Sequence, residues 1–361
     1  MWSRSTLGAP RPTGRRDSLV DVPGVRAGHA VDPRGTTGVT VVRFPRAAPT
    51  VLLALGGASA TYDTGSLELA ATFGRRWAIF FAGGSVFGLD AARGIRETLL
   101  AEGEGHQVFG NPHRVAPVSG ATLFDLPRSA RETLPDYRDL GAAAARAAGR
   151  STLPDGRRGA GAGALVGKYL GRGHAAPGGV GSASRRIPGI GVVGALVVVN
   201  AVGAVWDTVR HRWAAGARDE AGRIVPPDPA LLQLRRRAPG PSGTTLTLVV
   251  TNVNLERPQL HRAAQVAAGG LARSVIPVAT ATDGDVLFLA NTGEGRRLPP
   301  PAYPGAWADR VGWVAAELIG RAVVRAVGNR PASRRPTAAP TRRRSGGAER
   351  SPAVRGSSRP A

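Results

Sequence analysis

The stretch GTTLTLVVTNVNL, residues 243–255, joins a strand pattern to a hydroxyl residue at its first position. Its branched and apolar residues predict a β-strand that begins at Thr244. The preceding residues, 207–243, contain PPDPA and LRRRAPGPSG, which is a linker composition. Thr244 therefore stands where a flexible loop enters a buried strand, and a chain can be cut in such a loop without losing its core.

Cleavage of the Gly243–Thr244 bond would turn Thr244 into a nucleophile that carries its own base. The freed α-amine would have a pKa of about 7.7–8.0, so near neutrality it could act as a base toward its own hydroxyl. Gly243 has no Cβ and reaches the strained backbone needed for self-cleavage at least cost. Gly-Thr-Thr before a strand also occurs for structural reasons, so the motif alone leaves both interpretations open.

Working outward from this strand, strand patterns alternate with helical ones along most of the chain. The alternation predicts a layered α/β architecture in one domain over residues 18–328. Strands are predicted over 38–44, 51–55, 77–81, 115–124, 191–207 in two parts, 244–254 and 286–290, and helices over 66–78, 89–102, 137–149, 257–273 and 307–328.

Composition excludes several classes of protein. The 361 residues contain no cysteine, so disulfides and thiolate chemistry are absent. The start has no apolar segment typical of a secretory signal, and residues 192–206 are too short to cross a bilayer and contain Asn200. These features predict a cytoplasmic protein without membrane attachment.

The net charge of +23 is concentrated at the two ends. Residues 1–16 contain four Arg and no acid, and residues 330–361 contain nine Arg against Glu349. Both ends lack the apolar residues that a core requires, so a disordered leader (1–17) and a disordered tail (329–361) are predicted. No motif for specific nucleic-acid recognition is visible, although the tail could associate with a polyanion in a salt-dependent way.

Lysine usage singles out one position. Of the 48 basic residues only Lys168 is a lysine, and it lies within a glycine-rich loop over residues 159–184. An ammonium differs from a guanidinium because its pKa shifts readily on burial. Lys168 is either a chance survivor of an arginine-biased composition or a residue whose chemistry arginine cannot supply.

Established motifs for other chemistries are missing. The chain has no GxSxG elbow, no HExxH helix and no Walker loop, and its six histidines are scattered. The glycine-rich loop also lacks the following helix and acidic partner of a dinucleotide site. We therefore expect no metal and no organic cofactor.

Over residues 18–325 the sequence resembles the L-aminopeptidase/D-esterase (DmpA-type) hydrolases, a family that includes β-aminopeptidases and nylon-oligomer hydrolases. The shared motifs, in order, are VPGVRAGHA, AGGSVFGLDAARG at 82–94, VAPVSGATLFDL at 115–126, the GAGAGALVGK…GGVGSAS loop, VVVNAVG, GTTLTLVVTNVNL and GLARSVIPV…TDGDVLFLANTGE. The resemblance implies a four-layer α-β-β-α sandwich, self-cleaved into chains 1–243 and 244–361 that stay associated. It also suggests a homo-oligomer, a tetramer of cleaved pairs.

The same resemblance implies a set of catalytic residues. The nucleophile falls on Thr244, with self-cleavage between Gly243 and Thr244, and the other positions fall on Lys168, Asn200 and the pair Asp283 and Asp285. Asn200 would donate to the oxyanion, and Lys168 would keep the Thr244 amine neutral or donate to the hydroxyl. The acids would orient Thr244 or bind a substrate amine.

A structural role remains open for each of these residues. Asn200 could simply end a strand, Lys168 could be a loop cation paired with Asp285, and Asp283-Gly284-Asp285 could form a turn before a strand. Two departures from the family pattern affect the substrate pocket. Leu55 precedes Gly56-Gly57 where the family has Arg, and Ala281-Thr282 stands where Pro-Phe is frequent.

These features together predict an aminopeptidase-type peptidase or amidase that acts on a peptide or amide substrate through an acyl ester on Thr244. The alternative is an uncleaved, non-catalytic binding or scaffold member of the same fold. The stereochemistry of the substrate and the choice between terminal and internal bonds remain open. The combination of Lys168 with the Asp283–Asp285 pair slightly favours the nylon-oligomer branch.

Overall fold

A computed structural model describes residues 15–127, 129, 131–230, 242–293 and 297–328. Most of the predicted leader and all of the predicted tail lie outside these residues, so the predicted domain limits stay predictions. The helices are α1 (Ala91–Ala101), α2 (Tyr137–Arg146), α3 (Arg257–Ser274) and α4 (Ala306–Gly328). No described helix is long and apolar enough to cross a membrane.

The strands are numbered in chain order. They are β1 (Arg26–Val31), β2 (Gly38–Ala54), β3 (Ala60–Tyr62), β4 (Arg75–Ala82), β5 (His106–Gln107), β6 (Arg114–Val115), β7 (Val118–Thr122), β8 (Leu165–Val166), β9 (Ala176–Pro177), β10 (Gly179–Ile187), β11 (Gly191–Asn200), β12 (Ala204–Asp207), β13 (Arg212–Ala215), β14 (Thr244–Thr251), β15 (Val275–Ile276) and β16 (Val286–Asn291).

Strand β2 is long enough to join two halves of the main sheet. The order is β10-β11-β14-β16-β2-β4-β7-β3, and β1 also pairs with β2. The first part of β2 pairs with β1 and β4, and its last residues, from Thr50 to Ala54, pair with β16. A register shift between Arg43 and Ala48 separates the two parts. One half is therefore β10, β11, β14, β16 and the end of β2, and the other is β1, the start of β2, β4, β7 and β3.

Three apolar cores show that the two halves are stacked between two pairs of helices. Alternate residues of β11, such as Val197 and Leu196, enter different cores because successive side chains point to opposite faces of a strand. The first core packs β11 against α3 and α4, and the second packs it against β2 and β4 through Phe44 and Phe81. The third core joins the outer face of β2 and β4 to α1 and α2. The predicted four-layer α-β-β-α sandwich is confirmed.

The helix predicted over residues 66–78 is wrong. Only one 3₁₀ turn, Gly65–Leu67, forms there, and β4 has begun at Arg75. The guanidinium of Arg257, at the start of α3, donates to the carbonyls of Leu67, Glu68 and Ala71. Because an α-helix would use those carbonyls for its own hydrogen bonds, this long-range contact favours turns.

Replacing Arg257 tests this explanation. In Arg257→Ala we expect the amide protons of residues 67–71 to exchange at least about tenfold faster, because three hydrogen bonds to a charged donor are lost. Hydrogen exchange read by mass spectrometry would measure the change. Arg262→Ala is the matched control, since Arg262 lies exposed on the same helix and contacts Gln265. Unchanged exchange in Arg257→Ala would contradict the explanation.

Candidate active site

The strand register brings Thr244 and Asn200 together. Thr244 is the first residue of β14, Asn200 is the last of β11, and the two are direct partners in an antiparallel pair. Both side chains are buried. Two residues 44 positions apart in the sequence thus lie side by side at the same end of neighbouring strands.

The carbonyl group of Gly243 is held by two donors. The Thr244 hydroxyl donates from Oγ1 to the Gly243 oxygen at 2.5 Å, and the Gly284 backbone N–H donates to the same oxygen at 2.9 Å. The Thr244 oxygen therefore lies against the carbonyl that precedes it. The Gly284 donor is in place to stabilise negative charge on that oxygen.

Glycine is required at both positions for space. A Cβ on Gly243 would lie 2.3 Å from the Val202 nitrogen and 2.4 Å from Oδ1 of Asp283. A Cβ on Gly284 would lie 2.9 Å from the Thr244 hydroxyl. These chain segments can approach each other this closely because neither glycine has a side chain.

Lys168 is held beneath this pair. Its backbone N–H donates to Val202 O at 2.8 Å, and its Nζ donates to the backbone oxygen of Asn200 at 2.7 Å. Burial lowers its pKa to about 7, and the charge of Arg172 lowers it further, against the attraction of nearby carboxylates. Lys168 can therefore exchange a proton near neutrality. In the structural alternative Lys168 pairs with Asp285; here its Nζ bonds to Asn200, and the charge of Asp285 still raises its pKa.

The Asn200 amide is fixed by the backbone on both sides. Its Oδ1 accepts from Leu165 N at 3.0 Å and its Nδ2 donates to Phe124 O at 3.2 Å. These bonds determine which end of the amide is the donor. The Nδ2 group carries a second N–H, which can donate a hydrogen bond to an oxyanion.

The two acids adjoin the Gly243–Thr245 segment from the other side. Asp285 accepts from the backbone N–H of Thr245 and from that of Ala279 at 2.7 Å. Burial, followed by the charge of Asp283, raises the pKa of Asp285 to about 6. Oδ2 of Asp283 accepts from the Thr280 hydroxyl at 2.7 Å, whereas its buried Oδ1 has no hydrogen-bond partner among the described residues.

The segment that begins at Gly56-Gly57 binds the backbone of Asp283 and Asp285. Gly56 N donates to Asp285 O at 3.1 Å and Ala58 N donates to Asp283 O at 2.9 Å. A Cβ on Gly56 would lie 2.2 Å from the Asp283 oxygen. The Gly56-Gly57 motif therefore supports the backbone of the acids, in addition to any part in the substrate pocket.

One neighbouring residue was not singled out from the sequence. Asp125 is buried, accepts from Gly84 N at 2.6 Å, and has its pKa raised to about 6 by burial. Its charge raises the pKa of Lys168. It follows Phe124, whose carbonyl holds Asn200. Asp125 lies within the motif VAPVSGATLFDL. Nothing in that motif indicates that the aspartate is buried near a lysine.

No group of three or more His, Cys, Asp or Glu side chains suited to a metal ion occurs among the described residues. The polar groups around Thr244 are a lysine, an amide, backbone N–H donors and carboxylates. Such a set suits proton transfer and stabilisation of an oxyanion during acyl transfer.

Comparisons with known proteins identify the family of the chain. The model of Peptidase family S58 matches residues 17–333. A 6-aminohexanoate-oligomer endohydrolase of Kocuria sp. (strain KY2) is 31% identical over 327 residues, which cover 88% of this chain and 87% of the relative. An uncharacterized aminopeptidase of Mycobacterium leprae (strain TN) is 32% identical over 335 residues, covering 86% and 90%.

Solved structures share the fold. The L-aminopeptidase D-Ala-esterase/amidase from Ochrobactrum anthropi, described as a variant of the Ntn hydrolase fold, matches with a TM-score of 0.61 at 18% identity over 88% of each chain. A Burkholderia sp. beta-aminopeptidase matches with a TM-score of 0.56 at 23% identity, again over 88% of each chain. The chain belongs to peptidase family S58 and is a hydrolase of peptide or other amide bonds.

Proposed function

We propose that the chain cleaves itself between Gly243 and Thr244 and then uses the new N-terminal Thr244 as the nucleophile of an amide-bond hydrolase. The observation that carries this proposal is the arrangement at the Gly243 carbonyl. Its oxygen lies 2.5 Å from the Thr244 hydroxyl oxygen and 2.9 Å from the Gly284 nitrogen, inside a buried site. A strand that merely began with threonine would not require either contact.

Self-cleavage follows from these contacts by an exchange of bonds. The Thr244 oxygen attacks the Gly243 carbonyl carbon, the oxyanion is stabilised by Gly284 N–H, and the C–N bond breaks as the nitrogen takes up a proton. The product is an ester between Gly243 and the Thr244 side chain. Water hydrolyses this ester, leaving a carboxylate on Gly243 and a free amine and hydroxyl on Thr244.

The cleaved enzyme would repeat the chemistry on a substrate amide. The Thr244 amine removes the hydroxyl proton, the oxygen attacks the substrate carbonyl, and the second N–H of Asn200 stabilises the oxyanion. The protonated amine then gives its proton to the leaving nitrogen. Water releases the acyl group in the second half of the reaction, with the same groups in reversed roles and without a metal or organic cofactor.

Lys168 would control the protonation of the Thr244 amine, and Asp285 would orient the neighbouring backbone. A charged Lys168 lowers the pKa of the neighbouring Thr244 amine by repulsion, which keeps the amine neutral and basic. Asp285 binds the backbone N–H of Thr245 and so orients the residue beside the nucleophile. Asp283 lies against Gly243, where a Cβ would come within 2.4 Å of its Oδ1.

The substrate proposed is a peptide or another amide. The Kocuria relative is named for hydrolysis of 6-aminohexanoate oligomers and the Mycobacterium relative as an aminopeptidase, so both internal and terminal amides are represented among similar proteins. We further propose a cytoplasmic homo-oligomer of cleaved pairs. The alternative, an uncleaved scaffold, differs in a single measurable property, the covalent continuity of residues 243 and 244.

Intact mass under denaturing conditions tests the cleavage. We expect two fragments from the wild-type protein, the second beginning at Thr244, and one uncut chain from Thr244→Ala, which lacks the attacking oxygen. Thr244→Ser retains that oxygen and is the control that should still be cut. A stable uncut wild-type chain would support the scaffold alternative.

Substitution of Gly243 tests the importance of its position. In Gly243→Ala the new Cβ must displace Val202 or Asp283 and thereby move the carbonyl, so we expect self-cleavage to slow by about a hundredfold. Gly173→Ala is the control because a Cβ there meets nothing within 4 Å. The fraction cut after expression, followed with time by gel or mass, gives the rates. Equal rates for the two variants would contradict the proposed geometry.

The buried charge of Lys168 predicts a pH-dependent stability. Its pKa is about 7 in the folded chain and 10.5 ordinarily. Below pH 7 both states hold the proton and the full cost of burial is present. Between pH 7 and 10.5 only the unfolded state keeps the proton, so this cost decreases as the pH rises.

Comparison of Thr244→Ala with Thr244→Ala/Lys168→Met measures this cost in two uncut chains. We expect the double variant to be more stable by roughly 1–4 kcal/mol at or below pH 7, with the difference shrinking toward pH 10.5. Urea unfolding between pH 6 and 10 gives the values. A difference that does not change with pH would show that burial of the charge is not the cause.

A further inference from the structure

An open cleft lies at the end of the sheet far from Thr244. Its volume is about 710 Å³. Arg185, on its wall, pairs with Val193 in the β10–β11 ladder, seven residues along β11 from Asn200. Seven residues of extended strand span about 23 Å, so the cleft is separate from the candidate active site.

Arginine dominates the lining of this cleft. Five guanidinium groups and two carboxylates contribute to it, those of Arg185, Arg210, Arg273, Arg321, Arg325, Asp207 and Glu317. The residues come from β10, the β12–β13 turn, the end of α3 and the second half of α4. Four separate elements thus direct positive charge into one space.

The carboxylates do not balance these arginines. Arg185 pairs with Glu317, Arg210 pairs with Asp207 at 3.1 Å, and Arg321 and Arg325 share one oxygen of Asp17. Arg273 donates to the Gly269 carbonyl at 3.2 Å and has no carboxylate partner among the described residues. Asp155 adds a fourth carboxylate nearby, since the charge of Arg325 lowers its pKa. Five cations therefore face four anions, and positive charge remains in excess.

The neighbouring positive charges affect the pKa of Arg321 in the cleft. Burial lowers the pKa of Arg321, Asp17 opposes this effect, and the charges of Arg325 and Arg185 lower the pKa further. Guanidinium groups that repel one another in a half-buried cleft gain energy when an anion is placed between them.

The ends of the chain do not offer the missing negative charge. Residues 1–16 contain no acidic residue, and residues 330–361 contain nine arginines and one glutamate. A second copy of the same chain carries the same net charge of +23. Neither the two ends nor a second copy is therefore a source of net negative charge.

We propose that this cleft, the Arg273–Arg321 cleft, is a binding site for a small phosphate-bearing anion. The fork of N–H donors on each guanidinium matches the oxygens of a phosphate, and the excess of positive charge in the cleft complements its negative charge. The volume lies within the range of small-ligand pockets. The site is independent of self-cleavage at Thr244.

Calorimetric titration of the full chain with inorganic pyrophosphate, at ionic strength held constant with NaCl, tests the proposal. We expect saturable binding to the wild type, weakened at least about tenfold in Arg273→Gln and in Arg321→Gln. Arg310→Gln is the matched control, because Arg310 lies on the same helix outside the cleft and stacks on Trp307. It should bind as the wild type does.

The variants also separate the cleft from the basic ends, which all of them retain. Equal affinity in Arg273→Gln, Arg310→Gln and the wild type would place binding outside the cleft and overturn the proposal, as would the absence of saturable binding. Arg321 contacts Asp17, so its loss could disturb folding. Arg273 is exposed and keeps the test valid in that case.

Discussion

The antiparallel pairing of β11 with β14 is the constraint on which the rest of the site depends. Eight residue pairs run from Val193 opposite Thr251 to Asn200 opposite Thr244. Both strands are buried along their whole length, with α3 and α4 on one face and the other sheet half on the opposite face. A slip of one residue would exchange the two faces of every side chain and separate Asn200 from Thr244. The apolar packing of two cores therefore also fixes the distance between Asn200 and Thr244.

Much of this arrangement could be predicted because it follows from local pattern. Long apolar runs predict strands, and helical periodicity predicts α1, α3 and α4 within a few residues. The positions of Thr244 and Asn200 at strand ends could also be predicted, since each follows or precedes a visible run. The helix predicted over residues 66–78 was wrong because its carbonyls bind Arg257, which lies about 190 residues later in the sequence. No local pattern contains that information.

The parts of the site that could not be predicted are made of backbone. The donor to the Gly243 oxygen is the N–H of Gly284, and the groups that fix the Asn200 amide are Leu165 N and Phe124 O. Every residue carries such groups, so sequence does not distinguish the few that converge. The sequence records these close backbone contacts only as glycines. Gly243, Gly284 and Gly56 stand where a Cβ would collide with a neighbouring segment. Asp125 escaped notice for a related reason, since burial and proximity to Lys168 are properties of the fold.

The electrostatics of the centre explain why one lysine stands among 47 arginines. Burial lowers the pKa of Lys168 to about 7 and raises those of Asp125 and Asp285 to about 6, so a cation and two acids of very different ordinary acidity converge near neutrality. Each of these groups can therefore exchange a proton at a pH near neutrality. An arginine at position 168 would keep its proton near neutrality, because a guanidinium stays protonated in proteins. In the proposed mechanism a charged Lys168 lowers the pKa of the Thr244 amine, a role that a guanidinium could also fill. What lysine alone offers at this buried position is a side chain whose own pKa burial lowers to about 7.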